Sequence, residues 1–330
     1  MTERTPPWLR AALADYLGMV LVLAGLVTYF GCNTEHFFER STFLSIANQI
    51  PDAVIIAAGM TFVLIIGGID LSVGSVLALS AGVLGKCMAQ HHFSCGNALL
   101  AAVCVGAACG ALNGLLTVGF GLPSFIVTLG MLEIARGGAY MVTDSKTQYI
   151  GSAIGVLSQP ASTPWLATLT GGLTLPFALA VIVVLVCQFI LSKTVFGRYM
   201  IAIGTNEEAV RLSGIDTRRI KVVVFMICGL LAGLAAVLQT SRLESADPNA
   251  GTGAELQAIA AVVIGGTSLL GGRGSVVNSF FGVVVIAVLG AGLAQMGVGE
   301  TTKRMITGVV IVAAVILDHY RHRILNARRA

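Results

Sequence analysis

Charge is what this sequence lacks most. Only 11% of its 330 residues are Asp, Glu, Lys or Arg, against roughly 25% in an ordinary soluble domain. A globular chain of this length could not cover a water-facing surface with so few ionisable groups, so a soluble enzyme is excluded. Histidine is equally scarce. His91-His92 falls in a short loop, and His319 and His322 fall in a basic C-terminal stretch; both pairs read as solvated surface rather than as ligands. The seven cysteines (Cys32, Cys87, Cys95, Cys104, Cys109, Cys187 and Cys228) follow no CxxC or zinc-ligand spacing. Most sit inside apolar runs, where Cys is a small hydrophobe. No metal site and no catalytic residue is expected.

Apolar and small residues fill the space that charge leaves. Hydrophobic residues make up 56% of the chain and 40 positions are Gly, well above the roughly 7% Gly of ordinary chains. Glycine is frequent in membrane helices because it lets backbones approach closely. About 20 apolar residues cross a hydrocarbon core. On that rule spans are expected at 11–30, 51–67, 71–89, 97–119, 122–143, 173–192, 219–242, 255–270, 275–297 and 304–318. The first reads as a span preceded by a stub bearing Arg4 and Arg10. It is too long for a signal core, and no A-x-A site follows it. The expected fold class is therefore all-α: one polytopic membrane domain, 1–330, of about ten helices.

The distribution of Lys and Arg sets the orientation. Segment 193–221 holds Lys193, Arg198, Arg211, Arg218, Arg219 and Lys221, and the tail 319–330 holds Arg321, Arg323, Arg328 and Arg329. With both ends inside, the loops assigned outside carry very few basic residues, as the positive-inside rule requires. Eight or twelve crossings would pass the same test; ten is preferred.

Several spans carry features beyond apolarity. The junction Gly67-Gly68-Ile69-Asp70-Leu71-Ser72-Val73-Gly74 is too tight for an ordinary loop, and reads as a broken helix or tight reversal inside the protein, where irregular backbone is tolerated. Asp70 lies beside the hydroxyls of Ser72 and Ser75. These groups could contact a polar solute, or Asp70 could cap a helix starting at Leu71; the two roles are compatible. Glu133 and Arg136 stand at i,i+3 and are expected to pair. Glu255 follows Gly251-Thr252-Gly253-Ala254 at a helix start, where its charge suits the dipole. Ile66-Gly67-Gly68 through Val76 faintly resembles Ile264-Gly265-Gly266 through Val276, and Gly-interrupted segments at corresponding positions point to a transport path. Convergence of two Gly-rich turns is the competing reading. Gly106, Gly110 and Gly114 form a double GxxxG, and Gly229 with Gly233 another; each set marks one tightly packed helix face.

Segment 197–219 is too polar to cross a membrane. Thr205 and Glu208 have capping-box spacing, Glu207 and Glu208 fall in a first turn, and Gly214 is placed to stop the helix in the left-handed conformation. This predicts about two helical turns, either a surface turn at the headgroups or a docking element for a cytosolic partner.

With these strings in order, the chain resembles the permease subunit of a bacterial ATP-binding-cassette importer of the ribose/xylose/galactoside type. The resemblance covers nearly the whole length. It rests on Gly67 through Ser75; on Pro123-Ser124-Phe125-Ile126-Val127-Thr128-Leu129-Gly130 with Ala135-Arg136-Gly137; on Phe196-Gly197-Arg198 through Ser213-Gly214-Ile215; and on Ala250 through Gly274. Glu133 departs from the apolar or hydroxyl residue expected there. The resemblance implies the ten-helix fold of type II importer permeases, with broken and short helices around a central path between two subunits. It implies a second permease subunit, a cytosolic ATPase and a periplasmic sugar-binding protein as partners, in the bacterial inner membrane. Asp70, Ser72, Ser75 and Glu255 would belong to the substrate path. Segment 204–215 would couple to the ATPase through Gly204, Asn206, Glu207, Glu208, Ala209, Arg211, Ser213 and Gly214. The chain has no G-x-x-x-x-G-K-[ST] phosphate loop, so ATP and Mg would be held by the partner and this chain would bind no cofactor. The alternative is an ion-coupled secondary transporter of a small solute, for which Asp70 offers a thin relay.

Overall fold

The computed structural model describes residues 7–151, 154, 172–310, 312 and 313. The basic tail, the histidines within it and most of 152–171 lie outside the described residues. Each expected apolar segment falls on a helix, the last of them described as far as residue 313. In chain order the helices are α1 (Pro7–Asn33), α2 (Arg40–Gln49), α3 (Pro51–Ile65), α4 (Val73–Ala89), α5 (Cys95–Phe120) and α6 (Ser124–Val142). There follow α7 (Leu175–Lys193), α8 (Val195–Leu212), α9 (Thr217–Leu243), α10 (Ala254–Ile264), α11 (Val276–Gln295) and α12 (300–310). Strands β1 (Gln148–Tyr149) and β2 (Ser245–Ala246) form a two-stranded antiparallel pair with Gln148 opposite Ala246. The protein is an all-α polytopic membrane protein.

Among the described residues α5, α6, α7, α9 and α11 are long and apolar enough to cross a membrane, and α2 with α3, bent by 49°, make a sixth candidate. Leu100, Leu112, Leu185 and Phe189 expose large apolar side chains on the outer surface, as a lipid-facing surface allows. At the centre stands α3, where every residue except Ala53 is buried. A helix apolar on all sides is a core helix.

The tightest packing joins α5 to α9. A methyl group added at Gly106 would collide with the Gly229 carbonyl, one at Gly110 with the Phe225 carbonyl, and one at Gly233 with the Ala102 carbonyl. The two GxxxG faces are thus turned on each other, running antiparallel, and only the missing Cβ atoms let the backbones come so close.

Two helices begin at mid-depth. After α3 ends at Ile65 the chain folds back, and α4 starts at Val73. At the far end of α9, Ala246 of β2 sits against Gly85 of α4. The chain then dips inward until Gly251 packs on Gly74, and α10 descends from there for 11 residues. So α4 and α10 start side by side and run in opposite directions.

The faint internal repeat has a structural counterpart, shifted by one residue. The α3 end closes with Gly67 N–H to Leu64 O and Gly68 N–H to Val63 O, both at 2.9 Å; the α10 end closes with Gly266 N–H to Val263 O at 2.8 Å and Thr267 N–H to Val262 O at 3.1 Å. Gly67 and Gly266 both have positive φ, 75° and 83°. These are the same paired helix stop, so Gly67 corresponds in role to Gly266 and not to Gly265.

Candidate functional site

The α3–α4 break is held by side chains. Asp70 is buried, and one carboxylate oxygen accepts from the Ser72 N–H at 2.9 Å and from the Ser72 hydroxyl at 2.7 Å. That hydroxyl in turn accepts from Asn113 Nδ2 at 2.9 Å. This is a turn closed on the residue two ahead, which corrects the expectation that Asp70 caps a helix starting at Leu71: the helix starts at Val73 and the capping position is Ser72. From α6, Ser124 Oγ accepts the Ile69 N–H and Thr128 Oγ1 accepts the Leu71 N–H, both at 3.0 Å. Asp70, Ser124 and Thr128 each accept from a backbone N–H that has left the helical ladder, which is what buried irregular backbone needs. Ser75 is buried in the first turn of α4.

The second break is tied to the same helix. Arg136 Nη1 donates to the Pro248 and Ala250 carbonyls at 2.6 and 2.9 Å, and Tyr140 donates to Asn249 Oδ1 at 2.7 Å. The expected Glu133–Arg136 pair is therefore absent among the described residues. Two carbonyls of a dipping loop hold the guanidinium, and Glu133 is left exposed on α6. Glu255, half-buried in the first turn of α10, lies so close to Gly74 that a methyl there would touch its carboxylate. Its charge sits where the positive ends of α4 and α10 adjoin.

At one end of the bundle the stop of α3 and the loop after α10 meet α8. Gly272 N–H donates to Ile65 O at 2.8 Å, and a methyl at Gly204 would strike both that carbonyl and Gly272 N. Two residues on, Asn206 leaves helical geometry (φ −160°, ψ 93°) and its side chain accepts the Ala209 N–H at 3.0 Å. Asn206, not Thr205, caps the short helix that follows. Thr205 Oγ1 instead donates back to Ile201 O at 2.8 Å, which corrects the expected capping box. Glu207 pairs with Lys221 of α9, while Glu208 pairs with Arg211 at 2.7 Å on the exposed side. Ser213 donates to Val210 O, and Gly214, at φ 84°, ends the helix through its N–H to Arg211 O at 3.0 Å. Ala209 gives its carbonyl to the Ser213 N–H at 3.2 Å.

One polar cluster escaped the sequence reading. Asp52, in the first turn of α3, accepts from Gln239 Nε2 at 3.0 Å and Arg242 Nη2 at 3.3 Å. Asp52 and Gln239 line a cavity of about 240 Å³ with Thr252, Gln257 and apolar residues of α3, α4, α10 and α11. The signal available was a Gln and an Arg within the last turns of an otherwise apolar span. The partner lies 190 residues away, beyond any local pattern.

Comparison with known proteins adds to this geometry. The family model described as the branched-chain amino acid transport system / permease component matches residues 42–315. The chain is 38% identical to the ribose import permease protein of Escherichia coli strain K12 over 307 residues, 91% of each chain. It is 36% identical to the D-allose transport system permease protein of the same strain, over 94% of each chain. Identity to the fructose import permease protein of Rhizobium meliloti is 31%, over 93% of this chain and 85% of that one. No solved structure matches.

Proposed function

The chain belongs to the permease-component family that it matches over residues 42–315, and we propose that it is the membrane subunit of an ATP-binding-cassette importer that passes a neutral, ribose-like monosaccharide across the bacterial inner membrane. One observation carries this reading: near full-length similarity to import permeases for three different sugars. Although the family description names amino acids, those relatives are named for ribose, D-allose and fructose, which are neutral sugars. They also overturn the ion-coupled alternative.

In this reading the end bearing α8 faces the cytoplasm, as do both termini. The ATPase, which holds ATP and Mg, receives the short helix after Asn206, where the Glu208–Arg211 pair and the 79%-exposed Leu212 face outward. A periplasmic binding protein delivers the sugar at the opposite end, and a second permease copy completes the path. Asp70, Ser72, Ser75 and Glu255 serve the path by fixing the two mid-depth helix starts, the arrangement by which transporters expose backbone and polar groups to a solute. Asp52 with Gln239 forms a polar vestibule near the entry side.

Reconstitution tests it. In liposomes with its ATPase and binding protein, the chain is expected to take up labelled ribose or a related pentose only with ATP inside. Gly214→Pro removes the N–H bonded to Arg211 and cannot adopt φ 84°. It should abolish uptake and ATPase association while leaving the amount in the membrane unchanged. Uptake driven by an ion gradient without ATP, or uptake of branched-chain amino acids but not sugars, would overturn the reading.

A further inference from the structure

Helix α6 has two faces of different character. Thr128, Met131, Ala135 and Ala139 are buried at helical spacing, and their side carries the bonds to both breaks: Ser124 and Thr128 to the 69–71 backbone, Arg136 to the 248–250 carbonyls. On the opposite side Gly130, Glu133 and Gly137 succeed one another at i, i+3 and i+7, all exposed. A Cβ added at either glycine would meet nothing within 4 Å, so open space lies above and below the carboxylate. Since α6 runs Ser124–Val142, Glu133 is its middle residue and stands at the centre of a candidate span. No hydrogen bond or ion pair reaches it among the described residues.

A carboxylate cannot rest in the hydrocarbon centre without heavy cost; ionisable groups at that depth face a bundle interior or a water-filled cavity. Glu133 is turned away from the interior of its own chain. What remains is water enclosed by another subunit. The inner side of α6 bonds to both broken segments, so the helix that carries Glu133 is also the wall against which the two mid-depth helix starts are set.

We propose that the Gly130–Glu133–Gly137 face of α6 lines the aqueous path between this chain and a second copy of it, and that the Glu133 carboxylate accepts hydrogen bonds from hydroxyls of the passing solute. Two copies set two carboxylates across the path, a surface suited to neutral polyols and repellent to acidic solutes. The glycines put no side chain beside the carboxylate on this face. The identity of the solute rests on the function proposed above; the wetting of this face does not.

The test uses the assembled transporter in proteoliposomes, with the exposed native cysteines Cys32 and Cys104 replaced by Ser. Glu133→Cys should react with a charged, membrane-impermeant methanethiosulfonate about tenfold faster than Leu185→Cys, which lies on the lipid-facing side of α7. Saturating sugar should slow that reaction. Equal rates at the two positions would place Glu133 in lipid, and no reaction at position 133 would place it in a dry contact; either result overturns the proposal. In parallel, Glu133→Leu should lower uptake about tenfold at unchanged membrane amount and ATPase association, while Glu133→Gln keeps most of it. Wild-type uptake by Glu133→Leu would also overturn it. A transporter that takes up no sugar at all would instead count against the proposed function, and the reaction rates at position 133 would still decide the wetting.

Discussion

Asp70 and Arg136 each hold non-helical backbone in the interior of this protein. Asp70 accepts from the Ser72 N–H and hydroxyl; Arg136 donates to two carbonyls on the other break. Neither is paired with an opposite charge in those contacts. In a medium without water an unsatisfied amide or carbonyl is expensive, so each side chain serves as a hydrogen-bonding clamp on backbone that has left the helix. Removing the Asp70 acceptor strands a buried N–H, at a cost of about 1–3 kcal/mol. Asp70→Asn retains one oxygen in the same place. Thermal unfolding in detergent should therefore find Asp70→Asn close to the parent and Asp70→Leu less stable by that amount. If the two melt together, the turn does not depend on the carboxylate.

At the scale of elements, the contact of α5 with α9 rests on five glycines rather than on large side chains. Gly110→Ala sets a methyl against the Phe225 carbonyl and the Gly229 backbone, and backbone cannot rotate away as a side chain can. Overpacking of this kind costs about 1–3 kcal/mol. The melting point of Gly110→Ala should fall, whereas Gly119→Ala on the same helix, with nothing within 4 Å, should be neutral or slightly stabilising; equal melting of the two would show that the contact tolerates separation. This pair of helices also shows what a sequence discloses. The spacing of Gly106, Gly110 and Gly114 marks a face, and apolar length marks each helix, because a chain in lipid must satisfy its backbone within the segment. The partner of that face is set by three-dimensional approach and leaves no local trace. The same holds for the Arg136 carbonyls, 112 and 114 residues away, and for Asp52 with Arg242. The Asn206 kink was hidden for another reason: Thr205 has a better capping spacing to Glu208, but its hydroxyl bonds back to Ile201 O, leaving the cap to the next residue.

Across the whole molecule, the two glycine-rich helix stops, after α3 and after α10, reach the same point. The α3 stop at Ile65–Gly67 and the loop after α10 touch at Ile65 O and Gly272 N–H, and Gly204 of α8 closes on both. Gly271 and Gly272 hold positive φ there, 85° and 76°, a conformation open to residues without a Cβ. The kink at Asn206 separates the part of α8 up to Gly204, packed within the bundle, from the short helix beyond it. Glu207, paired to Lys221, ties that short helix to α9 as well. In the function proposed above, a displacement of the short helix after Asn206 would pass through one backbone junction to the stop of α3 and to the loop after α10. Coupling of this kind needs a contiguous physical element with two arrangements, and close backbone contact transmits movement because packed interiors do not deform continuously. Gly204→Ala separates the steps. Its methyl faces the Ile65 carbonyl and the Gly272 amide, so α8 must back away from the α3 stop and the loop after α10, while the segment from Asn206 to Gly214 keeps its own caps. The variant should still bind the ATPase in a pull-down and support ATP hydrolysis, yet lose most sugar uptake. That differs from Gly214→Pro, which should lose association itself. Uptake at the parental rate in Gly204→Ala would mean that the junction carries no coupling and that the docking helix acts through α9 alone.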